Sequence, residues 1–142
     1  MLKIGLKQNK SKTLGKLKIP DRYFFDFLRG CFDGDGSIYS YWDPRWQSSF
    51  MFYLKFVSAS PDFLFWLQSS IRRLLGLEGK IGNASRSLQL VFAKNDTRII
   101  YRKMFYRNNL PCLQRKLMKI KKILTTDMEH DRMPRWRNRH TR

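Results

Sequence analysis

The chain is short of acid. Its 142 residues hold 11 Asp and Glu against 29 Lys and Arg, a formal net charge of +18 and a pI near 10.4. Self-repulsion of that size opposes compaction unless a polyanion neutralises it, which points to nucleic acid. An anionic membrane surface would be met by one basic amphipathic helix, whereas here the basic residues are spread along the whole chain. Cysteine is also scarce: Cys31 and Cys112 lie far apart and neither has a Cys or His at a zinc-binding spacing, so both read as small core residues in a reducing compartment. No stretch is apolar for the ~20 residues a membrane helix needs, and the lysine-studded N-terminus lacks the apolar run of a secretory signal. The expectation is an intracellular protein, in the cytoplasm or nucleoid or an organelle genome compartment, neither secreted nor membrane-spanning. What is present in quantity is apolar surface, 42% hydrophobic and 15% aromatic, enough for one core and against wholesale disorder. Composition alone leaves nucleases, repressors and ribosomal proteins unseparated.

Along the chain, residues 1–20 carry Lys3, Lys7, Lys10, Lys12, Lys16 and Lys18 and no large aromatic, a basic arm that either meets DNA or is a solvated tail. Pro20 and Asp21 mark a helix start, and Phe24, Phe25, Phe27, Leu28, Cys31 and Phe32 recur at helical spacing until a Gly34 to Gly36 break. Strands are predicted over Ile38 to Trp42 and Ser49 to Ser58, turning at Asp43, Pro44 and Arg45. Ser58 or Ser60 before Pro61 caps a helix with an apolar stripe of Phe63, Leu64, Leu67, Ile71, Leu74 and Leu75, stopped at Gly76. A second hairpin pairs Gly79 to Asn83 with Ser87 to Lys94 around Ala84, Ser85 and Arg86. Asn95 and Asp96 cap a helix through Tyr106. After Asn108, Asn109 and Pro111 a last helix runs from about Cys112 to Leu124. Residues 125–142 form a second basic arm, with Trp136 as a stacking residue. The division is thus an arm at 1–20, a domain at 21–124 and an arm at 125–142. No internal repeat occurs, so the αββαββα order appears once.

Two close carboxylates in so basic a chain need a reason. Asp33 and Asp35 sit at the partially negative C-terminal end of the first helix, where like charges are unfavourable and a bound cation would relieve them. Asp-Gly-Asp-Gly is also an ordinary turn, which spacing alone favours. A calcium loop is excluded: counting from Asp33, Pro44 falls at position twelve, where a bidentate Glu is required.

Residues Leu28 to Gly36 resemble the LAGLIDADG signature of homing endonucleases, matching its Leu, first Gly, both Asp and final Gly, with Phe32 acceptable and with Arg29 and Cys31 in place of the usual Ala and second Leu. The match lies after an apolar helix and before a hairpin, and the resemblance covers about residues 20 to 124. It implies an α+β fold of αββαββα order with a saddle-shaped antiparallel sheet. It also implies a homodimer, because that family's cleavage centre needs two signature helices. Phe27, Gly30, Cys31 and Gly34 would then lie in the helix contact, and Asp35 with Gly34 would hold Mg²⁺ or Mn²⁺. The stretch Pro111 to Lys119 resembles the segment supplying the family's active-site lysine, with Lys116 the best match. Ser58 is the polar candidate at the end of the second strand.

The resemblance implies site-specific, metal-dependent cleavage of double-stranded DNA at a roughly palindromic site. The alternatives on the same fold are an inactive DNA-binding regulator and a maturase binding intron RNA. A strand pair in the major groove presents alternate side chains to base edges. Phe50, Phe52, Leu54 and Phe56 would pack inward, leaving Met51, Tyr53 and Lys55 outward, with Ser37, Tyr39 and Tyr41 beside them. Arg45, Gln47, Lys80, Asn83, Arg86, Ser87 and Gln89 from hairpins and strand ends, and Arg115 and Lys119 from the last helix, complete the expected DNA contacts. For Tyr39, Tyr41 and Trp42 ordinary cross-strand packing is the competing reading.

Overall fold

The computed structural model describes residues 19–43 and 46–131; the side chains of residues 46–48 and of Asp131 fall outside that description. Of the basic arms expected at 1–20 and 125–142, residues 1–18 and 132–142, with Trp136, lie outside the described residues, as do Arg45 and the side chain of Gln47.

Eight elements follow one another: α1 (Asp21–Asp35), β1 (Gly36–Asp43), β2 (Trp46–Ser58), α2 (Pro61–Leu75), β3 (Lys80–Ala84), β4 (Ser87–Phe92), α3 (Lys94–Met104) and α4 (Gln114–Asp131). This is the expected αββαββα order with one more helix behind it. The two hairpins lie side by side in a single antiparallel sheet of order β1-β2-β4-β3, joined where β2 pairs with β4, Phe56 opposite Leu90. Alternation along β2 decides which face is covered: Phe50, Phe52, Leu54 and Phe56 are buried while Met51, Tyr53 and Lys55 between them are half-exposed. Onto the inward face pack Phe24, Leu28 and Phe32 of α1, Leu64, Leu67 and Ile71 of α2, Ile100 and Met104 of α3, and Ile120 and Ile123 of α4. The other face carries no helix among the described residues.

Local chemistry explains most element ends. Ser60, rather than Ser58, caps α2: its hydroxyl oxygen accepts from the Phe63 N–H at 3.3 Å. Gly76 closes that helix in the left-handed conformation at φ 72°, where a side chain is disfavoured. Several boundaries differ from the sequence reading. The first helix runs through Gly34 to Asp35, because nothing in Asp-Gly-Asp prevents one more turn when the helix is held from outside. The second strand begins at Trp46 rather than Ser49. The third helix starts at Lys94 with Ala93 at its cap position, so Asn95 and Asp96 are inside it, and it stops at Met104 rather than Tyr106. Thr97 stabilises that start by donating its hydroxyl to the Phe92 and Ala93 carbonyls. The fourth helix continues past Leu124 to Asp131, since Asp127 is buried in ion pairs with Arg98 and Lys94 and ties the extra turns to α3. The stretch expected to open the C-terminal arm at 125 is thus helical to Asp131.

Candidate functional site

The site begins where α1 becomes β1. A Cβ on Gly36 would lie 2.6 Å from Phe32 Cα, so only glycine allows the chain to leave the helix this tightly. Gly36 also opens the sheet, opposite Phe56. Asp33 and Asp35 therefore both stand in the last helical turn, with no basic residue of α1 beside them. Asp35 is exposed and makes no hydrogen bond or ion pair to a described residue. Asp33 is half-buried, and its Oδ1 is buried without a hydrogen-bond partner among the described residues.

The missing positive charge comes from α4. Lys116 is half-buried, and its Nζ donates to the carbonyl oxygens of Phe32 at 2.9 Å, Asp33 at 2.9 Å and Gly36 at 2.7 Å. The ammonium also sits over the Phe32 ring, 5.6 Å from its centroid. Burial, then the Arg115 charge, lowers the Lys116 pKa below the usual lysine value, while Asp33 and Asp35 pull it back up. Lys116 and both aspartates are therefore within electrostatic reach of one another.

From the other side, Arg29 of α1 donates to the Met104 carbonyl at 2.8 Å and to the Pro111 carbonyl at 3.0 Å, pairing also with Asp26 at 3.1 Å. Tyr106 completes this cluster by donating to Asp26 at 2.6 Å. Sequence reasoning placed Arg29 only as a departure from a signature. The usable signal was its position between Phe25 and Phe32 on the helical wheel, where an arginine is normally buried only with partners.

Beside this junction, α1 has an open face. Gly30 and Gly34 are exposed, and a Cβ built on either meets nothing within 4 Å. Tyr23, Phe27, Gly30 and Gly34 fall on one helical stripe with Cys31 at its border. Phe27 is half-buried and divides its surface, its ring packing on Trp66 at 5.7 Å and Phe63 at 6.3 Å. Burial, then the Asp35 charge, pushes the Cys31 thiol up to about 12.

The uncovered sheet face carries a column of aromatic rings. Tyr53 is stacked against Tyr39 (5.3 Å, 24°) and against Tyr41 (6.2 Å, 16°), and the Lys55 ammonium lies 5.6 Å above the Tyr39 ring. The hydrogen bond between the Tyr53 hydroxyl and the Tyr41 side chain, which favours the protonated phenol, then burial, raises the Tyr53 pKa above the ordinary phenol value. Cross-strand packing and outward placement thus hold together for these tyrosines: ring faces meet one another and Tyr39 and Tyr41 stay exposed. Trp42 instead packs on Phe50 and His130. Ser37 stands opposite Lys55, Lys80 opposite Val91 and Gln89 opposite Val57, all on this face.

Other expected contacts lie elsewhere. Asn83 pairs with Leu88 and so falls on the face of the inward set, yet it is exposed. Arg86 occupies the turn at φ 59°, exposed, while Ser87, two residues before Gln89 on β4, shares the uncovered face with it and donates its hydroxyl to the Ser85 carbonyl at 3.2 Å. Ser58 accepts from the Ser60 N–H at 3.0 Å and bends the chain into α2. Arg115 and Lys119 are exposed on α4, in the helical layer rather than on the sheet face. A groove of about 600 Å³ between α3 and α4, lined by Arg98, Tyr101, Arg102, Lys121 and Asp127, is separate from Asp35. Among the described residues no three His, Cys, Asp or Glu side chains gather to hold a metal ion.

The architecture is that of the LAGLIDADG homing-endonuclease fold, four helices with a four-stranded antiparallel sheet. Among solved structures, the homing endonuclease I-TnaI superposes with a TM-score of 0.53 at 15% identity, over 74% of this chain and 74% of that one. The N-terminal LAGLIDADG domain of DUF199/WhiA superposes with a TM-score of 0.51 at 18% identity, over 63% of this chain and 45% of that chain, so this chain spans under half the length of that protein's structure. A looser likeness, TM-score 0.44 at 14% identity over 59% of this chain and 55% of that one, is to the homing endonuclease I-CvuI in complex with the I-CreI target and 2 mM Mg, its DNA uncleaved; it supports no argument. No protein-family model matches the chain, and no curated protein sequence matches it.

Proposed function

We propose that this chain is one subunit of a homodimeric, metal-dependent endonuclease that cuts double-stranded DNA at a roughly palindromic site. The observation that carries the reading is Asp35: an exposed, unpaired carboxylate at the end of a helix whose neighbouring glycine face is open. A second copy packed through Gly30, Cys31, Gly34 and the free part of Phe27 would bring two Asp35 carboxylates together and complete the ligand set that one chain lacks. The donor chemistry fits a hard cation, with oxygen ligands from Asp35 and the Gly34 peptide. Mg²⁺ or Mn²⁺ bound there would supply water activation and neutralise charge on the phosphate.

The chain's own residues do the rest. Ser37, Tyr39, Tyr41, Tyr53, Lys55, Lys80 and Gln89 on the uncovered sheet face, with Arg86 at the hairpin turn, meet base edges and phosphates. Ser58 accepts from the Ser60 N–H and would hold a water through its hydroxyl hydrogen. Arg115 and Lys119 add positive potential from α4. Lys116 keeps the aspartate pair flanked by positive charge.

The test selects bound duplexes from a random library and then measures cleavage with Mg²⁺ and binding with Ca²⁺. The parent should cut both strands, and Asp35→Asn should bind as well but cut slower by roughly a thousandfold or more, because shape is kept and the ligand charge is lost. Equal cutting by Asp35→Asn overturns the metal assignment. Tight binding without cleavage by the parent would instead identify a DNA-binding protein on this fold.

A further inference from the structure

Lys116 is placed by its sequence context as a group for the reacting phosphate, yet its bonds point elsewhere. An ammonium has three N–H bonds, and here peptide oxygens of Phe32, Asp33 and Gly36 take all of them at 2.7–2.9 Å. These acceptors bracket Asp35 in the chain, one residue after it and two before it. While the bonds stand, no donor is left for a phosphate oxygen.

The acceptors are also the groups that need help most. The last carbonyls of a helix lack intrahelical partners and carry the negative end of its dipole. In α1 this end also bears two carboxylates, it has no basic residue of its own in the last turn, and the chain departs at once into an extended Gly36. Left alone, such a turn frays or unwinds, and the Asp35 carboxylate would sample many directions. A cation delivered from α4, across 80 to 84 residues of sequence, holds the turn closed and offsets the repulsion. Lys116 is itself half-buried, with its ammonium 5.6 Å from the centroid of the Phe32 ring.

We propose that Lys116 is a positioning residue: it clamps the last turn of α1 through three peptide oxygens and so fixes the direction in which Asp35 presents its carboxylate, without itself touching phosphate. The clamp follows from geometry alone, and only its consequence for metal affinity rests on the nuclease reading. Residues that orient a metal ligand from outside the coordination shell act on metal affinity more than on the chemical step.

The experiment has two arms on the full chain, with Lys116→Met and Lys116→Arg beside the parent. In the first, without metal or DNA, amide hydrogen exchange is followed along α1 by mass spectrometry. In Lys116→Met the amides of Asp33 to Ser37 should exchange about tenfold faster or more, while those of α2 keep the parent's rate. Unchanged exchange over Asp33 to Ser37 overturns the clamp, whatever the protein does to DNA. Lys116→Arg, which keeps the charge but spreads its donors over a planar fork, should lie between the two and serves if the Met variant does not fold.

In the second arm, single-turnover cleavage is measured over a Mg²⁺ series. The Mg²⁺ midpoint should rise by about 10–100-fold in Lys116→Met, with the saturating rate within roughly tenfold of the parent. A saturating rate lower by roughly a thousandfold at an unchanged midpoint would show that Lys116 acts on the phosphate and overturn the proposal. If the parent cuts no DNA, the nuclease reading fails and the exchange arm alone decides the clamp.

Discussion

Arg29 and Lys116 cross the same junction in opposite directions. Arg29 leaves α1 to donate to the carbonyls of Met104, at the end of α3, and Pro111, late in the connector before α4, and Lys116 leaves α4 to donate to carbonyls at the end of α1. Each of the two helix ends thus receives a cation from another element, α3 from α1 and α1 from α4. Replacing Arg29 with Met keeps most of the apolar stem and removes the donors, leaving two peptide oxygens and Asp26 without their partner. The expected loss is about 2 kcal/mol in urea unfolding, with Tm lower by roughly 10 °C. A stability within about 0.5 kcal/mol of the parent would mean that solvent replaces Arg29 at no cost.

The Gly30 face separates a monomer effect from a dimer effect. Since a side chain at Gly30 meets nothing within 4 Å, Gly30→Leu should leave the single chain folded and even raise its stability by roughly 0.5–1 kcal/mol through helix propensity. In a dimer packed through this stripe the same leucine would hold the helices apart. Sedimentation with DNA present should therefore show association weakened in the variant. Equal association in parent and variant would remove this face from the interface.

Cys31 provides a pH-dependent readout of the same helix. Its thiol is pushed up to about 12, so the folded state favours the neutral form relative to an unfolded chain, whose thiol ionises from the model value of 9.0. The stability this contributes is fully present below pH 9 and is lost as pH rises from there through about 12. Alkylation of Cys31 by iodoacetamide at pH 8.5 should be about a hundredfold slower in the native protein than in urea, as read by peptide mass mapping. Because burial outranks the Asp35 charge among the causes, Asp35→Asn should change that rate only a few-fold, and a large acceleration would reverse the order of the two.

Salt dependence divides the positive charge by location. Lys55→Gln and Lys80→Gln, on the uncovered sheet face, should each reduce the slope of log affinity against log salt by about 1 if the residue meets a phosphate. Removing residues 1–18 and 132–142 should flatten the slope further while leaving the preferred site unchanged, because phosphate contacts position and base contacts specify. A shifted site preference after truncation would assign base reading to the arms.

Much of this arrangement was legible in the residues themselves. The alternation of Phe50, Phe52, Leu54 and Phe56 with Met51, Tyr53 and Lys55 chose the two faces of the sheet, and the αββαββα order followed from helical stripes, turns and glycine stops. These are local signals, written at spacings of two to four residues, and a sequence displays them directly. The closeness of Asp33 to Asp35 and the likeness of Leu28 to Gly36 to a known signature were also visible without coordinates.

The partners of the cations were not. Lys116 reads along the chain as one lysine among many on a basic helix, and its oxygens lie 80 to 84 residues away. Arg29 reads along the chain only as a departure from a signature, and the carbonyls that hold it lie 75 and 82 residues away. Likewise α4 runs to Asp131 rather than Leu124 because Asp127 meets Arg98 and Lys94 of α3. Hydrophobic period and turn chemistry belong to neighbouring residues, so the sequence by itself determined the elements, their order and their buried faces. A buried charge is tolerable only where donors and acceptors from distant segments converge on it, so only the tertiary structure decided which carbonyls Arg29 and Lys116 would hold, and with them how the helix end that carries Asp35 is built.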